Sequence, residues 1–401
     1  MKNIAIFTMG TRGDVQPYIY LAQALNEAGQ TAFIGTHPCW RDLVEAAGVA
    51  FIPIGPDIDI DAEAAAIRRR SKNPALSLLR TMQFIVRIVR ESTSSIYSTC
   101  QGKDLIIASH SQMGATEAEA LGIKKVHVTL QTEAIPEALK TKTAKDIVIG
   151  KLISSLMVRP YNKIRRVYGL PRLHSSDGVM GQDLNLIPIS KWMKTPSPYW
   201  EKQHQMTGFW YRDDSAFSPP AELKQFLESG EKPVILALGA MAFEHEREDE
   251  KLNLFLTAFE KTGMRALIQG FQKSLQGVKL PAQILAIGSV PHSWLFQQGF
   301  CVIQHCGFGT TSASLIYGIP SIPVPHVLDQ AGFARLLQEL GVAVPPIDAA
   351  ALSVDRMVDA LNQMKATYTE KKQKVTDLSE KIRAESGLAL AVKLINDVLE
   401  T

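Results

Sequence analysis

Cysteine is scarce in this chain. The four present among 401 residues (Cys39, Cys100, Cys301 and Cys306) include no C-x-x-C pair, which excludes a disulfide framework and a zinc ligand set and fits a reducing, cytoplasmic compartment. Long hydrophobic runs are missing as well. No window reaches the roughly 18 uncharged apolar residues that a membrane span requires, and no basic start leads into an apolar run, so neither a transmembrane helix nor a signal peptide is expected. Nor is there an excess of one charge: 43 Lys and Arg against 40 Asp and Glu leave +3, and nothing global demands nucleic acid. No G-x-x-x-x-G-K is present, so there is no P-loop. Gly10 and Gly13 are only a fragment of G-x-G-x-x-G, and the second apolar run ends at Gly35-Thr36 without an acid, which excludes a dinucleotide oxidoreductase. What remains is a globular composition, 46% hydrophobic and 21% charged, at a length that suits two or three domains.

The pattern along the chain alternates strand and helix. Ile4–Phe7 reads as a buried parallel strand, followed by the loop Gly10-Thr11-Arg12-Gly13-Asp14 and a helix opened by Pro17, whose missing amide hydrogen suits a first turn. Gly29 stops that helix. A strand at 31–34, a helix at 40–47 and a strand at 49–52 follow, and the pattern resumes with Leu105–Ala108, a helix over 115–121 and a strand at 126–130. Longer helical excursions are expected at 62–100 and 144–168. The polar segment 211–220, ending in Pro219-Pro220, reads as a linker. Strands are then expected at 234–238, 266–269, 284–287, 301–304 and 321–324, with helices between them and at the C-terminus. This predicts two α/β halves, each a doubly wound parallel sheet: 1–210, the linker 211–220, and 221–401, with the last helix free to return to the first half.

One stretch invites an anion. His305-Cys306-Gly307-Phe308-Gly309-Thr310-Thr311-Ser312 joins an apolar strand to a helix. Small residues there let backbone amides approach a phosphate, the helix dipole favours negative charge, and two hydroxyls and an imidazole add further hydrogen-bond donors. A glycine-rich turn with a threonine cap is an equal reading. Asp329-Gln330 follows the next strand, at the same sheet edge, where a carboxylate and an amide suit sugar hydroxyls, although by themselves they read by default as an aspartate cap for the following helix.

The run from His305 to Gln330 resembles the nucleotide-sugar signature of the family 1 glycosyltransferases. Gly10-Thr11-Arg12-Gly13-Asp14-Val15-Gln16-Pro17 resembles the opening of their bacterial and fungal branch, the sterol 3-beta-glucosyltransferases and antibiotic glycosyltransferases. Ser289 to Phe296 and Thr207-Gly208-Phe209-Trp210 are similar to the sterol branch too. The resemblance implies the GT-B fold, two facing Rossmann-like domains with an interdomain cleft, the N-terminal one for the acceptor and the C-terminal one for the nucleotide sugar. It implies that His305, Gly307, Gly309, Thr310 and Thr311 hold the diphosphate and that Asp329 and Gln330 hold the sugar. Val290 would meet the base through its backbone, near His292, with Gly239, Thr11 and Arg12 completing the donor set. Asp14 is then the catalytic base of an inverting transfer needing neither metal nor cofactor, with UDP-glucose the expected donor and an apolar hydroxylated acceptor. In the competing reading Asp14 pairs with Arg12 or caps the following helix. His37, His110 and His127 lie near strand ends, and His110 is the reserve base. Three departures bear on nucleotide choice: Ala313 stands where plant-type members have a glutamate, Ala240 where relatives have serine, and Ser289 where a tryptophan stacks on the base. A dTDP-sugar enzyme for natural products and a catalytically silent binder are the alternatives.

The positive charge is polarised. Residues 62–90 hold seven Lys and Arg (Arg68, Arg69, Arg70, Lys72, Arg80, Arg87, Arg90) against Glu63. Residues 140–166 hold eight (Lys140, Lys142, Lys145, Lys151, Arg159, Lys163, Arg165, Arg166) against Asp146. Apolar residues between them leave two readings: a solvated basic face over a core-facing stripe, or a peripheral contact with the inner membrane surface. No aromatic-basic interleaving suggests nucleic acid.

Overall fold

The computed structural model describes residues 1–58, 66, 74–130, 132, 135–137, 140, 158–175, 180–213, 217–239, 248–326 and 328–401. Several expectations fall outside these residues: the cluster Arg68, Arg69, Arg70 and Lys72, the basic residues Lys142, Lys145 and Lys151, the middle of the linker, and Ala240.

The chain divides into two compact units, Met1–Tyr211 with Glu385–Thr401, and Arg212–Ala384. The first unit is built on seven parallel strands, β1 (Asn3–Phe7), β2 (Thr31–Thr36), β3 (Ala50–Pro53), β4 (Leu105–Ala108), β5 (Lys124–Val128), β6 (Asn185–Ile187) and β7 (His204–Met206), in the order β3-β2-β1-β4-β5-β6-β7. The crossovers put the order reversal between β1 and β4, which pair in parallel through Ile4–Phe7 and Leu105–Ala108. In such a sheet the loops leaving the C-terminal ends of those two strands frame the ligand edge.

The helix after β1 differs from the sequence expectation. α1 spans Arg12–Glu27 and begins five residues before Pro17. Thr11 is its N-cap, and Asp14 closes a capping box in the first turn, so two local side chains start the helix without help from proline. Pro17 lies inside, where it removes the bond to the Gly13 carbonyl. Tyr18, Ile19, Leu21, Ala22 and Leu25 form the buried face, and Gly29 at φ +85° turns the chain into β2. The remaining helices of this unit are α2 (Arg41–Ala46), α3 (Pro74–Cys100), α4 (Ala115–Leu121) and α5 (Arg159–Val167). On α3, Ile88, Ser92, Ile96 and Cys100 face the core while Arg87 and Arg90 are exposed, so this part of the basic excursion is a solvated face over a core stripe. β6 and β7 were not expected. At three residues each, with Asn185 and His204 in register, they carry no apolar run. The unit closes with the chain's last helix, which packs on α1 and β5.

The second unit has five parallel strands, β8 (Val234–Ala237), β9 (Ala266–Gln269), β10 (Ile284–Ile287), β11 (Val302–Gln304) and β12 (Ser321–Pro323), in the order β10-β9-β8-β11-β12. This repeats the arrangement of the first five strands of the other sheet. Its helices are α6 (Ala221–Glu228), α7 (Glu248–Thr262), α8 (His292–Gln298), α9 (Phe308–Ile316), α10 (Leu328–Glu339) and the 30-residue α11 (Val354–Arg383); the last helix of the first unit is α12 (Gly387–Glu400). Leu236, Leu238, Phe255, Phe259, Ile268 and Ile303 lie in its main core.

Candidate functional site

The ligand edge of the second sheet is the reversal between β8 and β11, and the residues there are arranged around one imidazole. His305 follows β11 directly. A Cβ on Gly239 would approach its Cε1 to 2.8 Å, and a Cβ on Gly307 would collide with its Nε2, so both glycines are needed for the ring to sit there. Gly239 also adopts φ +71°, which a side chain would strain. Burial lowers the His305 pKa to about 4, with the Ala237 carbonyl pulling the other way, so the ring is neutral at physiological pH.

Gly307 is the N-cap of α9 and uses no side chain to close it. Phe308, Gly309 and Thr310 form the first turn, whose amides have no partner within the helix. Thr310 is buried and Thr311 fully so. Among the described residues of this unit, Thr311 Oγ1, His305 Nδ1, Gln304 Oε1 and Gln269 Oε1 are buried without a well-formed hydrogen bond. Buried polar atoms are rarely left this way, and a cluster of them marks a place for a ligand or ordered water. Gln269 and Gln304 both pair in register with Ala237, one on each side of β8. Sequence reasoning missed both glutamines; the available signal was a polar residue ending each of two apolar strands. Gln304 Nε2 is already committed, donating to Ser321 Oγ at 2.7 Å and Ser314 Oγ at 3.1 Å.

The other expected donor residues are spread along the same edge. Val290 is buried beside Leu295, Phe296 and Ala313, and His292 opens α8 and stacks on Phe296 at 4.4 Å. Asp329 lies in the first turn of α10. Gln330 is buried, and its Oε1 accepts the His326 amide at 2.8 Å.

In the first unit, Asp14 is brought to the ligand edge by α1. Its Oδ2 accepts from the Thr11 amide at 2.8 Å and from the Thr11 hydroxyl at 2.9 Å. Asp14 is therefore a helix cap, and the chemistry left to it resides in Oδ1. The Arg12 Nε lies 3.5 Å from Gln16 Oε1. A Cβ at Gly10 would collide with the Asp14 carboxylate, and the Gly10 carbonyl is tied to Trp40 Nε1 at 3.0 Å. On the far side of the reversal, the loop after β4 presents His110, whose Nε2 is 3.8 Å from Asp14 Oδ1. The two other histidines near strand ends lie elsewhere. His37 is fully buried against Gly55, and His127 is buried with Nδ1 2.5 Å from Gln112 Oε1. This edge thus offers a fixed carboxylate with one open oxygen, and the other unit offers a neutral cradle lined with amides.

Two family models match the chain, the glycosyltransferase family 28 N-terminal domain over residues 4–144 and the erythromycin biosynthesis protein CIII-like C-terminal domain over residues 267–386. A sterol 3-beta-glucosyltransferase of Cryptococcus neoformans var. neoformans serotype D is 30% identical over 441 residues, covering 99% of this chain and 27% of that protein. One from Arabidopsis thaliana is 28% identical over 421 residues, covering 97% of this chain and 64% of that protein. The chain therefore spans less than two thirds of the length of these relatives. Among solved structures, the glycotransferase of kitacinnamycin superposes with a TM-score of 0.76 at 16% identity, over 99% of both chains. Glycosyltransferase VinC in complex with dTDP superposes with a TM-score of 0.71 at 20% identity, again over 99% of both. At these identities the structures establish the architecture, and the two parallel sheets are those of the GT-B fold.

Proposed function

This chain belongs to the glycosyltransferases of the GT-B fold, and on that premise we propose that it is an inverting enzyme, independent of metal, that moves glucose from UDP-glucose to a hydroxyl of an apolar acceptor such as a sterol, a lipid or a polycyclic natural product. The observation that carries the reading is that buried polar atoms after β11 and at the start of α9, Thr311 Oγ1 and His305 Nδ1 foremost, lack a well-formed hydrogen bond. A diphosphate satisfies such a site: its oxygens accept from the free amides and hydroxyls, and the helix dipole favours its charge.

The roles follow from the chemistry. Asp14 Oδ1 takes the proton of the acceptor hydroxyl as that oxygen attacks the anomeric carbon. The bond from that carbon to the diphosphate breaks, and the charge gathering on the leaving oxygen is stabilised by the α9 amides and the Thr310 and Thr311 hydroxyls. A neutral His305 adds one N–H and no charge, so the dipole and amides carry most of the stabilisation. Asp329 and Gln330 would hold the sugar hydroxyls. The similarity to sterol glucosyltransferases supports glucose and an apolar alcohol.

A second reading is a dTDP-sugar enzyme acting on a natural product. Ala313 favours it, since it packs in an apolar cluster with Val290 and Leu295 and offers a ribose no carboxylate. Nucleotide-stabilised melting separates the two, because a ligand that binds only the folded state raises its Tm. A selective, EDTA-insensitive shift with UDP or UDP-glucose supports the proposal, and a dTDP preference supports the second reading. No shift with any nucleotide refutes both and leaves a silent member of the fold.

A further inference from the structure

The Asp14 carboxylate is held from two sides. Thr11 occupies Oδ2, and His110 faces Oδ1 from the loop after β4. What holds His110 is less obvious, and it lies in the core. Tyr18, one turn after Asp14 on α1, is fully buried. Its oxygen accepts the His110 main-chain amide at 3.3 Å and lies 3.5 Å from the His110 Nδ1. With the amide donating to the phenol oxygen, the phenol's own proton is directed to Nδ1. An imidazole that accepts at Nδ1 carries its hydrogen on Nε2, the nitrogen facing Asp14.

Trp210 completes the arrangement. It stands edge-on against the Tyr18 ring at 6.0 Å, is itself buried, and donates from Nε1 to Thr207 Oγ1 at 3.0 Å. The Thr207-Gly208-Phe209-Trp210 run, which no step of the proposed reaction uses, thereby acquires a role: its first and last residues lock each other behind Tyr18. Burial also keeps the phenol protonated, because the phenolate is disfavoured in a dry site beside Asp14.

We propose that Tyr18, braced by Trp210, fixes His110 as the Nε2–H tautomer, and that His110 in turn orients the open oxygen of Asp14 toward the acceptor. Tyr18 and His110 are positioning residues. Neither takes the proton, and each acts by holding the carboxylate in one rotamer. The inference rests on Asp14 being the base.

The test has one arm that needs no substrate. In protein labelled with 15N-histidine, the His110 ring nitrogens are assigned by their loss in His110→Gln. The expected result is a protonated Nε2 and a pyridine-like Nδ1, with Tyr18→Phe, which keeps the ring but removes the hydroxyl, shifting the ring toward a mixture of tautomers. A protonated Nδ1 in the wild type, or a spectrum unmoved by Tyr18→Phe, overturns the inference. In the kinetic arm, Tyr18→Phe and His110→Ala should each lower kcat by about tenfold to a hundredfold, the scale of a small misplacement of reacting groups. KM for the sugar donor should stay unchanged. His110→Gln, whose amide can still donate to Asp14, should recover most of the loss. Equal kcat for Tyr18→Phe and wild type overturns the positioning role. Retained turnover in Asp14→Asn would instead overturn the base assignment, and it leaves the tautomer result standing as a separate fact.

Discussion

Replacing Asp14 by asparagine separates the cap that its carboxylate forms from the proton acceptance proposed for it. The structural job is the cap. Oδ2 accepts two hydrogen bonds from Thr11, and the negative charge sits in the first turn of α1. Asparagine keeps a side-chain oxygen for Thr11 and loses only the charge, which at a helix N-terminus is worth about 0.3–1 kcal/mol. For a unit of this size that corresponds to a fall in Tm of a few degrees, on the order of 2–4 °C per kcal/mol. The proposed chemical job is that of the base. Removing a general base costs about a hundredfold to ten-thousandfold in rate, or roughly 3–5 kcal/mol of barrier. The two effects therefore differ several-fold in free energy and are read by different instruments. Thermal melting should show a small loss for Asp14→Asn and a larger one, by up to about 2 kcal/mol, for Asp14→Ala, which also forfeits the cap. Release of UDP from UDP-glucose in the presence of an apolar alcohol should fall by at least about a hundredfold for both variants. The rise in Tm on adding UDP should match wild type, because the cradle lies on the other unit. If Asp14→Asn keeps kcat within about threefold of wild type, where a lost base costs a hundredfold or more, the reasoning fails and Asp14 is a cap alone.

Three further outcomes are expected. Thr311→Val removes a hydroxyl that is fully buried and unpartnered, so the unliganded protein should melt higher, by about 1 kcal/mol in stability, while the UDP-induced shift shrinks; a lower Tm without nucleotide would contradict this. Gly239→Ala places a methyl against the His305 ring at φ +71° and should cost about 1–2 kcal/mol and weaken UDP binding, measurable by the same melts. Finally, the His305 pKa is lowered to about 4 by burial, against about 6.5 in an unfolded chain. The unfolded state takes its proton first, so the stability tied to His305 is complete above pH 6.5 and is lost as the pH falls from 6.5 to 4, by up to about 3 kcal/mol. His37, His127 and His204 are shifted in the same direction by burial. Urea unfolding at pH 7.5 and 5 should show the drop, and His305→Asn should reduce it.

The strands that form the centre of each sheet were legible because they are short apolar runs ended by glycine or a polar residue, as in Leu105–Ala108 and Ala266–Gln269. β6 and β7 were not, since at three residues each, with Asn185 and His204 facing the interior, only Leu186 and Ile187 of β6 give an apolar signal, too short to read as a strand. The start of α1 was misplaced because proline is a strong marker for a first turn, while the capping pair Thr11 and Asp14 acts through side-chain geometry that also fits a loop. The small residues and hydroxyls that open α9 were legible as a stretch suited to an anion. The surroundings of Asp14 were invisible for a different reason: Tyr18 and His110 are separated by a long stretch of chain and meet because β1 and β4 are neighbours, and Trp210 reaches Tyr18 from still further along.

The first unit is completed by residues 385–401, with α12 lying on α1, Gln30 bonded to Asn396 at 3.1 Å and Lys124 to the Val398 carbonyl at 3.0 Å. The helix that carries Asp14 is thus backed by a segment that rejoins its unit only after the chain has traversed the whole of the other. The second unit is continuous in sequence, its two ends drawn together by Asp213 and Arg383 at 3.0 Å, whereas the first is assembled from two separate pieces. A nick after Arg383 therefore leaves the second unit in one piece and cuts the covalent tie between α12 and the helix it supports.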